Sequence, residues 1–409
     1  MSKDKIVLSH SGKQHSYQVA RALDALNMLD CFYTSSYITN KKLQQWLISR
    51  NDQYWTRRFV KGLGGSKVSA NWRFELPEVL LRLSKQSSHK IQSAVYKRDE
   101  IFDKHIAKQI RNTPTKKIFW GFQGSSYNSL LTAKELGWTT ICEQSSVHVL
   151  EQIRTFEKEK ELLPEWSHSI PTLNFTEEYK ARLINEPLAA DYVFVNSTFS
   201  KKSQINSGIP ENKIHILPLG FDAEGVQSNT KKKKTNKFLY VGRISQSKGI
   251  FYMLEAFRKL SSSNATLTLI GHNQTDLKLL KKYEKYTTIL PPTSQAELFK
   301  LYKEYDALIL PTILDGFGFV ILEALAAGTP VITTTNSFGP EIIKDGVNGY
   351  IVEPRNIFQL SERILSIINL TQNSYELMRQ SALLSVAEFS WDKYQSRLFI
   401  AANSLINNM

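Results

Sequence analysis

Two carboxylates stand eight positions apart, Asp315 and Glu323, within DGFGFVILEALAAGTPVI, residues 315–332. The short apolar run ALILPT before them reads as a strand, and the helix formers of residues 319–327 read as a helix, so the acids bracket a strand–loop–helix turn. Glycines at 316 and 318 let a ligand approach the backbone closely, and the amides that open the helix offer donors to an anion. Glu323, about a turn and a half into that helix, is spaced to meet a second part of the same ligand, such as vicinal hydroxyls. The combination suits a sugar nucleotide. Taken singly, the commoner fates would be a capping Asp315 and a solvated Glu323.

A second constellation is VGRISQSKGI, residues 241–250, which ends a strand in a Gly-Arg turn and sets Arg243 five positions before Lys248. Two cations facing one loop are what a diphosphate leaving group needs, because negative charge builds on the phosphate as the glycosidic C–O bond breaks. A lone pair of surface cations at a turn is the alternative. HSGKQHS, residues 10–16, follows the first strand and brushes against a P-loop, but Val7 and Gln14 stand where that motif needs its first glycine and its Ser/Thr. GFQGSSYNS, residues 121–129, places Gln123 and Ser125 at a helix start, where they would bind acceptor hydroxyls or phosphate, or simply cap the helix. His148, five residues beyond Glu143, reads either as a cleft residue or as a structural histidine.

Behind these loops the chain alternates apolar strands with helical spans. KIVLS, KIFWG, TTIC, DYVFVNS and KIHILPLG form the first series; KFLYVGR, ATLTLIG, TTIL, ALIL, PVITT and GYIV form the second. Two such sheets facing one another would bind ligands at their C-terminal strand edges. Residues 40–109 interrupt the first series with a mostly helical, basic insertion carrying Trp46, Trp55, Arg57, Arg58, Phe59, Lys61, Trp72 and Arg73. Residues 227–236 are polar and lysine-rich and mark a linker, its run Lys231 to Lys234 reading as solvated.

At 409 residues two domains are expected, and a net charge of +14 implies an anionic partner: nucleic acid, a membrane leaflet or a phosphorylated substrate. No nucleic-acid module is present in the sequence, and its basic residues are scattered. The two cysteines, Cys31 and Cys142, lie in apolar surroundings with no metal or disulfide spacing and read as buried core. The absence of a long apolar run or signal-like leader leads to the expectation of a cytoplasmic protein.

The motif at 315–332 resembles the E-x7-E signature of retaining family-four glycosyltransferases, with Asp in place of the first Glu; residues 241–250 resemble that family's G-R-x4-K-G. PLGFDAEGV, residues 218–226, resembles its P-x-G-x-D hinge, and FSWDKYQSRLFIAANSL, residues 389–405, resembles the terminal helix that crosses back onto the first domain. The resemblance implies an α/β GT-B fold: two Rossmann-like doubly wound domains facing across a cleft. Residues 1–226 would be the acceptor-binding domain, joined by the C-terminal helix 387–409, and residues 227–386 the nucleotide-sugar-binding domain.

It implies that Arg243 and Lys248 hold the donor diphosphate, that Glu323 holds the ribose, and that Asp315 contacts the sugar or supports the cations. Gly12, Gly242, Gly271, Leu290, Gly316, Phe317, Gly318 and Phe319 complete the implied donor site. Lys13, His15, Gln123, Ser125 and Glu143 lie on the acceptor side. Many members carry a histidine just after the strand that here reads TTICEQ; this chain has Glu143 and Gln144 there, with His148 or Glu143 as a substitute. The implied activity is metal-independent and retaining, and requires no cofactor. A hexose-type sugar would pass from a nucleotide diphosphate donor, UDP-linked, to a glycan or lipid-linked acceptor in surface polysaccharide or lipopolysaccharide synthesis. Alternatives are a GT-B epimerase or phosphorylase, or a non-catalytic nucleotide-sugar-binding homologue. The tryptophans among basic residues leave two readings open, peripheral contact with an anionic membrane at its inner face or a solvated helical face with buried tryptophans.

Overall fold

The computed structural model describes residues 5–50, 55–84, 86–113, 115–222, 226 and 232–407. The first sheet comprises β1 (Ile6–His10), β2 (Leu29–Thr34), β3 (Val68–Ala70), β4 (Ile118–Phe122), β5 (Thr139–Gln144), β6 (Tyr192–Val195) and β7 (Ile214–Ile216). The second comprises β8 (Lys237–Val241), β9 (Thr266–Ile270), β10 (Thr287–Leu290), β11 (Ala307–Leu310), β12 (Val331–Thr334) and β13 (Gly349–Val352). Every strand pair is parallel, in the orders β3-β2-β1-β4-β5-β6-β7 and β10-β9-β8-β11-β12-β13. Helices cover both faces, which is why strands such as IVLSH and ALIL are buried along their whole length.

Both sheets reverse direction of winding beside their first strand, between β1 and β4 and between β8 and β11. Loops leaving the C-terminal ends of adjacent strands diverge at such a reversal and leave a crevice between them. Four of the loops that carry candidate residues, those after β1, β4, β8 and β11, are the loops at these two reversals.

Strands β2 and β3 escape the sequence pattern. LDCFYT is only partly buried and mixes polar with apolar residues, and β3 is a three-residue edge strand inside the basic insertion. The described part of that insertion is otherwise mostly helical, with helices Lys41–Ser49, Leu76–Leu83 and Ser88–Arg111 and short 3-10 turns and loops between them. Cys142 is buried, but Cys31 on β2 is only half-buried, because that strand lies nearer the sheet edge; both thiols are free. Residues 227–231 of the expected linker lie outside the described residues. The lysines that follow are not simply solvated: Lys232 pairs with buried Asp306 at 2.9 Å, and Lys234 Nζ donates to the Leu370 carbonyl at 2.5 Å.

The terminal helix Trp391–Asn407 returns to pack on helix Ser16–Ala25. Its approach is held by Phe221 N–H donating to the Phe389 carbonyl at 2.6 Å and by Arg397 Nη2 donating to the Pro218 carbonyl at 3.1 Å. Among the described residues, no helix is long and apolar enough to cross a membrane.

Candidate functional site

The Arg243–Lys248 loop is shaped by its own sequence and then pinned from the opposite sheet. Gly242 N–H extends the β8–β9 ladder to the Ile270 carbonyl at 3.0 Å, and the chain then turns outward through exposed Arg243. A 3-10 turn, Gln246–Lys248, capped by Ser245, brings the chain back toward β11. Gly249, at φ 73°, allows this turn to press onto the end of that strand: a Cβ there would stand 2.0 Å from the Pro311 carbonyl oxygen. Lys248 Nζ thereby reaches Asp315 Oδ2 at 2.5 Å. From the first sheet's side, Ser245 Oγ donates to the Ser169 carbonyl (2.6 Å), Gln246 N–H to Ser169 Oγ (2.9 Å) and Gln246 Nε2 to Glu159 Oε1 (2.6 Å). Glu159 is fully buried and also receives Arg355 Nε at 2.6 Å.

These elements enclose a cavity of about 340 Å3 between the sheets. The second sheet contributes Arg243, Lys248, Asp315 and Gly316; the first contributes Gln14, Gln123, Ser145 and Ser146. Gly316 closes one wall so tightly that a Cβ would stand 2.9 Å from Ser146 Cα, and its carbonyl accepts from Ser197 Oγ at 2.7 Å. Ser146 Oγ in turn donates to Gln123 Oε1 at 2.9 Å. Two cations and one carboxylate facing amides and hydroxyls can hold a polyanion on one side and a hydroxyl-rich group on the other. Among the described residues, no cluster of three His, Cys, Asp or Glu side chains is arranged to hold a metal ion.

Other candidate residues fall outside this cavity. Glu323 is buried, accepts from Tyr302 Oη at 2.8 Å and Gln295 Nε2 at 3.1 Å, and burial raises its carboxyl above the usual range despite those bonds. Gly271 N–H donates to the carbonyl of Leu290, the half-exposed last residue of β10, at 3.2 Å, so both lie on the second sheet's C-terminal edge. Phe317 is buried against Phe338, with ring centroids 4.3 Å apart, and Gly318 caps the helix Phe319–Ala326. Phe319 lines a neighbouring cavity with Lys13 and His15. Gly12 lies against the His10 imidazole.

The residues expected on the acceptor side divide. Glu143 is buried and bonded by His15 Nε2 on one oxygen and by Trp120 Nε1, at 3.0 Å, on the other, so it ties β5 to the loop after β1. Ser125 is buried beneath that loop, 3.5 Å from Ser11 N. His148 does not reach the cavity. It caps helix Val149–Leu162, its Nδ1 accepting from Leu150 N–H at 3.2 Å and its own N–H donating to Ser203 Oγ at 3.0 Å. Burial lowers that imidazole to about 4. A histidine opening a helix has an unpaired amide two residues on to satisfy, and that demand wins here over exposure in the cleft.

Sequence reasoning missed Gln14, Ser145, Ser146, Ser169 and Glu159. The first three follow strand ends in stretches already marked by their small or polar residues, so strand-end position was an available signal. Ser169 and Glu159 act across the two sheets, and nothing local distinguishes them.

Residues 222–384 match the family model described as Glycosyl transferases group 1. The capsular polysaccharide biosynthesis glycosyltransferase CapM of Staphylococcus aureus is 28% identical over 200 residues, 44% of this chain and 53% of that one. The lipopolysaccharide 1,2-N-acetylglucosaminetransferase of Salmonella typhimurium is 27% identical over 217 residues, 46% of this chain and 56% of that one. The chain spans about half the length of the curated relatives it matches. The crystal structure of Anabaena HepE in complex with UDP superposes with a TM-score of 0.61 at 15% identity, covering 98% of this chain and all of that one. The matched stretch, residues 222–384, holds Arg243, Lys248 and Asp315 in the loops just described and Glu323 on the helix that follows, and is similar to the glycosyl transferases group 1 model; the whole chain has a GT-B fold built on two parallel sheets.

Proposed function

We propose that this chain is a retaining glycosyltransferase. It moves a hexose-type sugar from a UDP-sugar to a glycan or lipid-linked acceptor in the synthesis of a bacterial-type surface polysaccharide or lipopolysaccharide. The observation that carries the reading is the convergence of Arg243, Lys248 and Asp315 on one cavity at the reversal of the second sheet, facing Gln14, Gln123 and Ser146 of the first. The names of the capsular and lipopolysaccharide relatives, and the UDP bound by the Anabaena protein of the same fold, support the donor and the pathway class.

In this reading the bond from the sugar's anomeric carbon to the diphosphate breaks with its electron pair moving onto the phosphate oxygen. Arg243 and Lys248 stabilise that charge, supplying what a metal ion supplies elsewhere, so no cofactor is needed. Asp315 holds the Lys248 ammonium in place. The acceptor hydroxyl forms the new bond on the face the diphosphate leaves, and its proton passes to the departing phosphate oxygen, which preserves the anomeric configuration.

A peripheral membrane location is part of the same proposal. Trp46, Trp55 and Trp72 are 50%, 41% and 40% exposed rather than buried, and Leu76, Leu80 and Leu83 are exposed beside them in sequence. Arg50 lies over the Trp46 ring at 4.5 Å and Arg58 over Trp72 at 5.6 Å. Amphipathic aromatics carrying guanidinium groups suit the headgroup layer of an anionic leaflet.

A thermal-shift panel of nucleotide sugars tests the donor. A UDP-sugar should raise the melting temperature, and Arg243→Ala should abolish the response; a panel with no stabilising nucleotide sugar would overturn the reading. Lys248→Ala should lower turnover by about 10²-fold. The anomeric configuration of the product, read by NMR, tests retention, and turnover of the sugar without any acceptor would point to an epimerase or phosphorylase instead.

A further inference from the structure

A second cavity, about 350 Å3, adjoins the first and shares Gln14 with it. Its walls include Lys13 and His15 from the loop after β1 and Arg57 from the 3-10 turn Thr56–Arg58, and it reaches Phe319, which opens helix Phe319–Ala326 on the second sheet's side. Among the described residues, no aspartate or glutamate lines it.

The charges around it are unequally matched. Arg58 is satisfied by Glu75, at 2.8 Å, and by Ser36; His15 is engaged by Glu143. Lys13 and Arg57 have no carboxylate partner among the described residues, and both are exposed toward solvent. Partial desolvation, followed by the repulsion of Arg57 and Arg58, lowers the Lys13 ammonium to about 8. A bound anion would relieve that repulsion.

We propose that this cavity is a subsite for a phosphate or diphosphate group on the acceptor, held between the Lys13 ammonium and the Arg57 guanidinium. The inference rests on the glycosyltransferase reading and adds to it the chemical class of the acceptor. A planar guanidinium can grip two phosphate oxygens while the ammonium takes a third. The shared Gln14 wall sets the anion beside the donor cavity. Trp55, preceding the turn in sequence and tilted against Trp72 at 6.3 Å, gives an apolar neighbour to any lipid chain the phosphate carries. A lipid-linked diphosphate and a water-soluble sugar phosphate present the same group to Lys13 and Arg57.

The test is calorimetric titration of inorganic pyrophosphate into the full chain, in UDP-saturated wild type and in Arg243→Ala. Pyrophosphate should bind in both, and the double substitution Lys13→Gln/Arg57→Gln should weaken it at least about tenfold, the loss of one or two charge-assisted contacts. Arg57→Lys should weaken it less than the double change, and UDP affinity should stay within about twofold of wild type. Melting curves check that each variant folds. Absence of pyrophosphate binding, or binding indifferent to the double substitution, overturns the proposal. Failure of UDP to bind wild type counts against the donor reading alone, since pyrophosphate titrated without UDP still reports on Lys13 and Arg57.

Two further arms separate the sources: phosphatidylcholine vesicles with and without a long-chain polyprenyl diphosphate, and glucose 1-phosphate in solution. Capture that the double substitution removes identifies the source and supports the subsite; indifference in both arms overturns it.

Discussion

Asp315 stands one methylene shorter than the acid it replaces, and it has become the partner of Lys248. Its carboxylate lies 2.5 Å from the ammonium, so its first effect is on the orientation of a cation. Asp315→Asn keeps the shape and removes the charge, and should lower kcat/KM about tenfold, equivalent to 1.4 kcal/mol of transition-state stabilisation. Unchanged turnover in a steady-state assay would remove Asp315 from the machinery. Glu323 is the contrasting case, buried and bonded by the hydroxyl of fully buried Tyr302. Glu323→Ala leaves that hydroxyl without its acceptor and should cost about 1–3 kcal/mol in urea unfolding, besides any effect on the donor.

At the scale of the element, the helix Val149–Leu162 serves both sheets. Its first residue is capped by His148, and its Glu159 holds Gln246 of the cation loop at 2.6 Å. Glu159→Gln removes the charge that faces Arg355 and weakens the grip on Gln246; donor KM should rise several-fold while the loop residues themselves are intact. A KM equal to wild type would show that the loop holds its shape unaided.

His148 makes the helix start sensitive to acid. Its imidazole, lowered from 6.5 to about 4 by burial, is neutral when folded and gains a proton on unfolding. Its contribution to stability is therefore present above pH 6.5 and lost as pH falls toward 4. His10, lowered to about 3 by burial, acts in the same direction. His148→Asn keeps a capping side chain and should flatten the decline of melting temperature between pH 6.5 and 4; an unaltered slope would exclude this histidine as a source.

The whole molecule is organised by the approach of its two sheets. Gly316 meets Ser146 where no side chain fits, and Ser197 bonds the Gly316 carbonyl at 2.7 Å. Gly316→Ala should force the surfaces apart at a cost of about 1–3 kcal/mol and reduce activity more than distant alanine substitutions, measured by melting and by turnover together. Charge acts at the same scale. With a net charge of +14 and exposed tryptophans on one insertion, the chain should co-sediment with anionic vesicles and be released as salt rises. Binding that ignores salt, or no binding, would remove the membrane from the account.

Eleven of the strands, the two cation and carboxylate motifs, and the loops that carry them were legible in the sequence. Buried parallel strands are continuous apolar runs, and a glycine-bearing turn between strand and helix is a local signature. LDCFYT and the edge strand Val68–Ala70 were not legible, because partial burial permits polar residues and weakens that pattern. Nor could sequence place Glu159 or Gln14, whose roles depend on partners far along the chain, or choose for His148 between the cleft and the local helix cap it forms with Leu150. The amino-acid sequence determined which groups could bind a diphosphate, since residue type and local spacing are properties of the chain itself. Only the tertiary structure decided which side chains share a cavity: Lys248 with Asp315, Arg243 with Gln14, and Lys13 with Arg57, while His148 and Glu143, the two substitutes read for one histidine, line neither. The physical reason is that proximity between loops is set by strand order and sheet packing, which bring together residues that no local pattern connects.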